Sequence, residues 1–316
     1  METFEVVQPG PLTTVQDLGR HGWQQYGVPP SGAIDDYAFR IGNVLVGNDE
    51  SAASLEITLV GCQLRVLEDT VIALTGADLA PTLNGAPIPM WETFPVSRAD
   101  KIAFLRLKTG CRAYLAVSGG IDVPRVMASA ATCIRAGIGG FEGRALRSGD
   151  ILRTVEDTPP PIRVRVPPEY RPEYGSRIEL RVILGPQDDY FTGEGIRTFL
   201  RSEYTISGQA DRMGCRLEGP QIQHSAEADI ISDGIPLGAV QVPGNGLPII
   251  LLVDRQTTGG YTKIATVVST EIPKLAQAKP GDKVGFRQVG DERAWIALTE
   301  EYDERILAVR RLLRGQ

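Results

Sequence analysis

The chain has 316 residues, of which 42% are hydrophobic and 23% charged, an ordinary globular composition long enough for two hydrophobic cores. Its net charge of −6, spread without a basic stripe, excludes the electrostatic footprint of a nucleic-acid binder. The N-terminus lacks the basic and apolar regions of a signal peptide, and no run of about 18 apolar residues offers a membrane span, so a cytoplasmic protein is expected.

The 35 glycines and 22 prolines suit many short strands joined by turns better than a helical bundle. In chain order the predicted strands are FEVVQ, CQLRVL, TVIALTG, KIAFLRL, CRAYLAV, RIELRVILG, AVQVP, PIILLVD and KIATVVS, several bounded by Gly, Pro, Asn or Asp. Between the first two, Ser31 is placed to cap a helix over residues 33–46, with Ile34, Ala38, Ile41 and Leu45 on one face. Further helices are predicted over residues 195–202, shortly after Thr270, and at the C-terminus. There Trp295, Leu298, Tyr302, Ile306, Val309 and Leu313 form one apolar stripe.

Residues 153–176 hold six prolines and many charges, and proline can neither donate to a sheet nor continue a helix. They read as a linker or an extended surface segment. Domains are therefore expected over residues 1–155 and 177–316, with a Pro-rich linker at 156–176. The two halves repeat one order of features. Each has an apolar run, a Gly-Gly pair, a second apolar run and a closing Gly-Asp turn into a strand (LRSGDIL and AKPGDKVGF).

The four cysteines, Cys62, Cys111, Cys133 and Cys215, form no CxxC pair and read as reduced core thiols. With two histidines, His21 and His224, and no HExxH, no metal site is expected. Neither a phosphate loop nor a GxSxG elbow is present. Chemistry instead concentrates in four polar, Gly-rich segments: 15–36, 207–220, 229–248 and 253–267. Their glycines let a backbone approach a ligand.

Lys263 opens an apolar strand. It is placed either to stabilise a carboxylate, carbamate or phosphate, or to guard a sheet edge. Asp211 and Arg212 either pair locally or grip a substrate carboxylate and orient a base. His224 is an acid–base candidate or a satisfied loop histidine. Asp17, Arg20 and His21 form a possible second cluster, and Arg135 and Arg144 bracket GIGG as a possible anion site.

The segments QDLGRHGWQQYGVPPSGAIDDYAFRIGNVLVGN, SGGIDVP, ILGPQDDYF, SGQADRMGCRLEGP and DRQTTGGYTKIATV resemble the successive signatures of the allophanate hydrolase subunit 2 family. The resemblance runs from about residue 5 to residue 286. That family includes the C subunit of 5-oxoprolinase, the antagonist of the sporulation kinase inhibitor, and the biotin-dependent carboxyltransferase domain of urea carboxylase. The resemblance implies a mainly β fold of two cyclophilin-like β-barrel domains with a few short helices and a C-terminal helix. It implies the A and B subunits of 5-oxoprolinase as partners, and ATP-dependent cleavage of 5-oxo-L-proline to L-glutamate, with ATP as a co-substrate of the complex. The carboxyltransferase relatives imply carboxyl transfer to urea or an amide, with biotin carried on another protein. A third implied reading is a non-catalytic regulator of a kinase-inhibitor-like B-type partner. On the same resemblance, Lys263 and Asp211 match catalytic positions, and Arg212, His224, Gln241 and Tyr261 match substrate-binding ones.

Overall fold

The computed structural model describes residues 1–155, 164–290 and 292–314. The chain forms two compact units. One comprises Met1–Arg20, Ser31–Tyr174 and Glu304–Gln316; the other comprises His21–Pro30 and Gly175–Asp303. The mainly β architecture with few short helices and a C-terminal helix, expected from the sequence, is the one observed.

The first unit contains β1 (Glu2–Pro9), β2 (Leu12–Gln16), α1 (Asp36–Leu45), β3 (Ser54–Thr58), β4 (Cys62–Val66) and β5 (Thr70–Asp78). These are followed by β6 (Pro81–Leu83), β7 (Ala86–Pro87), β8 (Thr93–Val96), β9 (Lys101–Phe104), β10 (Thr109–Val117) and β11 (Ile151–Arg153). They make a six-stranded sheet, β11-β1-β4-β9-β6-β7, and a five-stranded sheet, β2-β3-β10-β5-β8. One core lies between them. Phe4, Val6, Leu64 and Ile102 come from the first sheet, and Leu55, Ile57, Leu74 and Leu115 from the second. Burying such side chains contributes about 1.5–3 kcal/mol each. β10 is buried on both faces, since α1 covers the side away from the core.

The first helix starts later than the sequence implied. Ser31 has a left-handed backbone (φ 56°) and cannot serve as the cap. The cap is Asp35, whose side chain accepts from the Ala38 amide at 2.9 Å. Residues 164–166 lie along the outer strand β8, with Thr93 N–H donating to Val164 O and Val166 N–H to Trp91 O. Residues 156–163 of the expected linker fall outside the described residues.

The second unit contains β12 (Arg177–Leu184), α2 (Gly193–Arg201), β13 (Tyr204–Ile206), β14 (Gly214–Glu218), β15 (Asp229–Gly234), β16 (Ala239–Gln241), β17 (Ile249–Leu251), β18 (Thr258–Tyr261) and β19 (Lys263–Val267). α3 (Ile272–Ala276) and β20 (Lys283–Gln288) follow, and α4 (Glu292–Arg314) runs from this unit into the residues grouped with the first. Seven strands close a barrel in the order β12-β19-β16-β17-β14-β13-β20, which leaves no free edge; β15 and β18 form a separate ribbon. Thr192 caps α2, which therefore covers Gly193–Arg201. Of the C-terminal stripe, Ile306, Val309 and Leu313 are buried, while Trp295 is exposed.

Candidate functional site

On the barrel, β16 and β19 are antiparallel neighbours, and their register sets Gln241 opposite Lys263. Lys263 is fully buried, yet its Nζ lies 3.2 Å from Asp233 Oδ2 on the ribbon, where the carboxylate is half-exposed. A buried stem with its charged head delivered to one exposed acid is a defined placement, not that of an edge lysine in water. Gln187 fixes the strand start from below: its Oε1 accepts from the Lys263 amide and its own backbone amide donates to Lys263 O, both at 3.2 Å. The hydrogen bond from Lys263, the Gly234 amide, and then the lysine's charge hold the Asp233 carboxyl below the usual aspartate range.

Gln241 is 2% exposed, and among the described residues its Nε2 has no acceptor. A buried donor left unspent costs about 1–3 kcal/mol and marks a place where a ligand acceptor would be favoured. Gly259 stands opposite Asp233 in the ribbon. A Cβ there would sit 3.1 Å from Gln241 Nε2 and 2.7 Å from Ile235 Cδ1, so glycine keeps the space over the amide open. Tyr261, 42% exposed, lies on the same ribbon opposite Asp229.

The other sequence candidates have committed partners. Asp211 is exposed, and its Oδ1 accepts from the Met213 and Gly214 amides at 2.7 and 3.1 Å, closing a turn. Arg212 is buried and forks onto Asp254, at 2.9 Å from Nε to Oδ2 and 3.4 Å from Nη2 to Oδ1. His224 Nε2 lies 3.1 Å from both Val242 O and Thr262 Oγ1, so the ring braces the residue before Lys263. Asp17 accepts from the Gly19 and Ala130 amides and from Ser129 Oγ, and Arg144 pairs with Asp150 and Glu142. The glycines beside Arg144 are packing positions. A Cβ at Gly139 would overlap Ala131 O, and one at Gly140 would overlap Thr132 Oγ1.

Residue-by-residue reading missed Asp233, Gln187 and Arg255. Arg255 is 4% exposed and donates to Ile235 O and Leu252 O at 2.9 and 3.0 Å; burial pulls its guanidinium down to about 10. All three lie inside the segments marked by glycine content or resemblance, and that is their only signal in the sequence. Among the described residues no group of three His, Cys, Asp or Glu side chains is arranged to hold a metal, and no helix is long and apolar enough to cross a membrane.

Lys263 and Gln241 supply donors and Asp233 an acceptor, an arrangement suited to a small substrate bearing a carboxylate, carbonyl or amide. The fold defines the class: a mainly β protein with a closed seven-stranded barrel. A family model described as carboxyltransferase domain, subdomain A and B, matches residues 26–288, and the chain belongs to this family. It is 39% identical over 298 residues to the C subunit of 5-oxoprolinase from Escherichia coli, covering 94% of this chain and 95% of that protein. It is 34% identical to the urea amidolyase of Saccharomyces cerevisiae, covering 90% of this chain but 16% of that protein. The solved urea amidolyase of K. lactis superposes with a TM-score of 0.91 at 33% identity, over 98% of this chain and 20% of that one.

Proposed function

We propose that this chain is the C subunit of a cytoplasmic 5-oxoprolinase that acts with A and B subunits and consumes ATP as it opens 5-oxo-L-proline to L-glutamate. The observation that carries this reading is the nearly end-to-end match, in both chains, with the C subunit of the Escherichia coli enzyme. Opening the lactam breaks its C–N bond, adds the elements of water across it, and builds negative charge on the carbonyl oxygen. Lys263 Nζ and the unspent Gln241 amide are the donors we assign to the substrate's oxygens, with Asp233 holding the lysine and receiving an N–H. Arg212, through Asp254, and His224, through Thr262, are assigned to positioning this site, and Asp211 to the turn that carries Arg212. In the same proposal the bulk of each unit, on either side of the Pro-rich segment, is one of two duplicated domains, with His21–Pro30 and Glu304–Gln316 exchanged between them.

The test is glutamate release from 5-oxo-L-proline and ATP by this chain purified with its A and B subunits, against the same mixture without it. Activity is expected only with the chain, and Lys263→Ala is expected to lower kcat by about 10²–10³-fold with the complex intact. Equal activity with and without the chain would remove it from the reaction and favour a regulatory role.

A second reading, carboxyl transfer from biotin carried on another protein, is favoured by one observation. Gln241 and Asp233 offer one donor and one acceptor, which fit the carbonyl and N–H of a ureido group. Biotin when bound would supply the carboxyl group. This chain's residues would orient the ureido ring and the acceptor amide. Carboxylation of urea by the chain with a biotinylated carrier, and no glutamate release, would select this reading.

A further inference from the structure

A cavity of about 660 Å³ opens in the first unit, where β6, β7 and the end of β9 meet residues 165–171. That is within the range of sites that enclose small molecules. Four cations and two acids line it. Each acid already faces a cation: Asp78 Oδ2 lies 3.1 Å from Lys108 Nζ, and Glu92 Oε2 lies 3.5 Å from Arg165 Nε. Arg106 and Arg171 have no carboxylate within ion-pair distance among the described residues. Arg171 spends Nε and Nη2 on the single carbonyl of Val166, at 2.9 and 2.7 Å. Burial, followed by the like charge of Arg165, destabilises the Arg171 cation, and Glu92 offsets this less. The cavity therefore carries a cationic excess in a chain of net charge −6.

Its remaining wall is mostly apolar and carries three prolines. Ile88, set between Pro87 and Pro89, and then Met90 line it, and Leu105, 58% exposed, lines it as well. Ala80 lines it in a left-handed backbone conformation (φ 50°), held by Asp78 Oδ1, which accepts from its amide at 2.8 Å. Strained non-glycine backbone of this kind persists where the surroundings over-determine it, and ligand clamps are one such setting.

We propose that this cavity binds a small phosphate monoester, with the phosphate between Arg106 and Arg171 and a compact apolar body on Ile88, Met90 and Leu105. Two guanidiniums without acids call for two negative charges on one group. A phosphate monoester carries nearly that at neutral pH, and a carboxylate carries one. The cavity belongs to the first unit and Lys263 to the second, and the cavity is tested without reference to 5-oxoproline.

Isothermal titration of the full chain with phenyl phosphate, inorganic phosphate and benzoate provides the test. Phenyl phosphate is expected to bind at least about tenfold tighter than either of the others. Arg106→Ala, at an exposed position, is expected to weaken phenyl phosphate about tenfold or more, Leu105→Asp to abolish its binding, and Lys263→Ala to leave it unchanged. Arg171→Ala also removes the bonds to Val166 O, so Arg106→Ala is the decisive variant. Benzoate binding as tightly as phenyl phosphate would overturn the phosphate assignment. An apolar body that adds no affinity over inorganic phosphate, or unchanged binding in Arg106→Ala, would overturn the site.

Discussion

The ammonium of Lys263 emerges from a fully buried stem and meets one partly exposed carboxylate, so its charge is held in place rather than free in solvent. Two of its three N–H donors remain once Asp233 takes one, and under the proposed function they face the substrate. The unspent Gln241 amide beside it is the kind of local cost that functional sites carry and structural cores avoid. The pair also makes a pH prediction. The Asp233 carboxyl is held low by Lys263 first of all, so the ion pair's stabilisation is present above the ordinary aspartate range. It is lost as pH falls through the lowered folded-state value. Lys263→Met keeps the stem volume and removes the charge. The Asp233 carboxyl is then expected to titrate higher, near an ordinary aspartate, as read from its carboxyl carbon shift by NMR against pH. A titration unmoved by the substitution would show that the lysine does not hold the carboxylate in solution. Asp211 and Arg212 look equally reactive as letters. In the structure Asp211 closes a turn and Arg212 is forked onto Asp254, whereas Lys263 meets Asp233.

At the scale of elements, a few glycines hold more than flexibility. Gly139 (φ +70°) lies against the Ala131 carbonyl and the buried Arg20 guanidinium, on the backbone that threads β2 to the loop after β10. Gly139→Ala adds a Cβ that meets backbone on one side and an unfavourable φ on the other. It is expected to lower unfolding free energy by about 3 kcal/mol or more, read from the denaturant midpoint. A midpoint shift equivalent to less than about 1 kcal/mol would mean the loop yields and the contact is not rigid. Every predicted strand lies on an observed one, because each is an apolar run and several carry flanking turn residues that the sequence makes legible. The closing Gly-Asp turns correspond in detail: Gly149 and Asp150 bond the backbone of Val6 as Gly281 and Asp282 bond that of Ile206. The Gly-Gly pairs do not correspond. Gly119 and Gly120 make a left-handed turn after β10, whereas Gly259 and Gly260 lie within a strand. Strands such as β15, with every residue but one exposed, carry no hydrophobic alternation to read. Asp233 was illegible for that reason: its approach to Lys263 depends on ribbon pairing between residues far apart in sequence.

For the whole molecule, α4 joins the two units in sequence, and its last turns belong to one set of packing contacts. The last turns of α4 are grouped with the first unit, although nearly the whole second unit precedes them in sequence. There Ile306, Val309 and Leu313 are buried, Arg305 stacks over the Tyr37 ring at 5.0 Å, and Arg310 pairs with Glu50 at 3.1 Å. The ion pair, only half-buried, contributes little. The three apolar side chains together contribute on the order of 5 kcal/mol. The barrel of the second unit, by contrast, closes on strands that all lie between Arg177 and Gln288. A chain ending at Asp303 is therefore expected to lose stability selectively. Amides of β1–β11 should exchange with solvent faster by two or more orders of magnitude, while those of β12–β20 keep their protection. Hydrogen exchange read by mass spectrometry on peptides from each unit distinguishes the outcomes. Equal loss in both units would mean that the chain unfolds as one cooperative body, and that the terminal turns stabilise all of it rather than the unit they are grouped with.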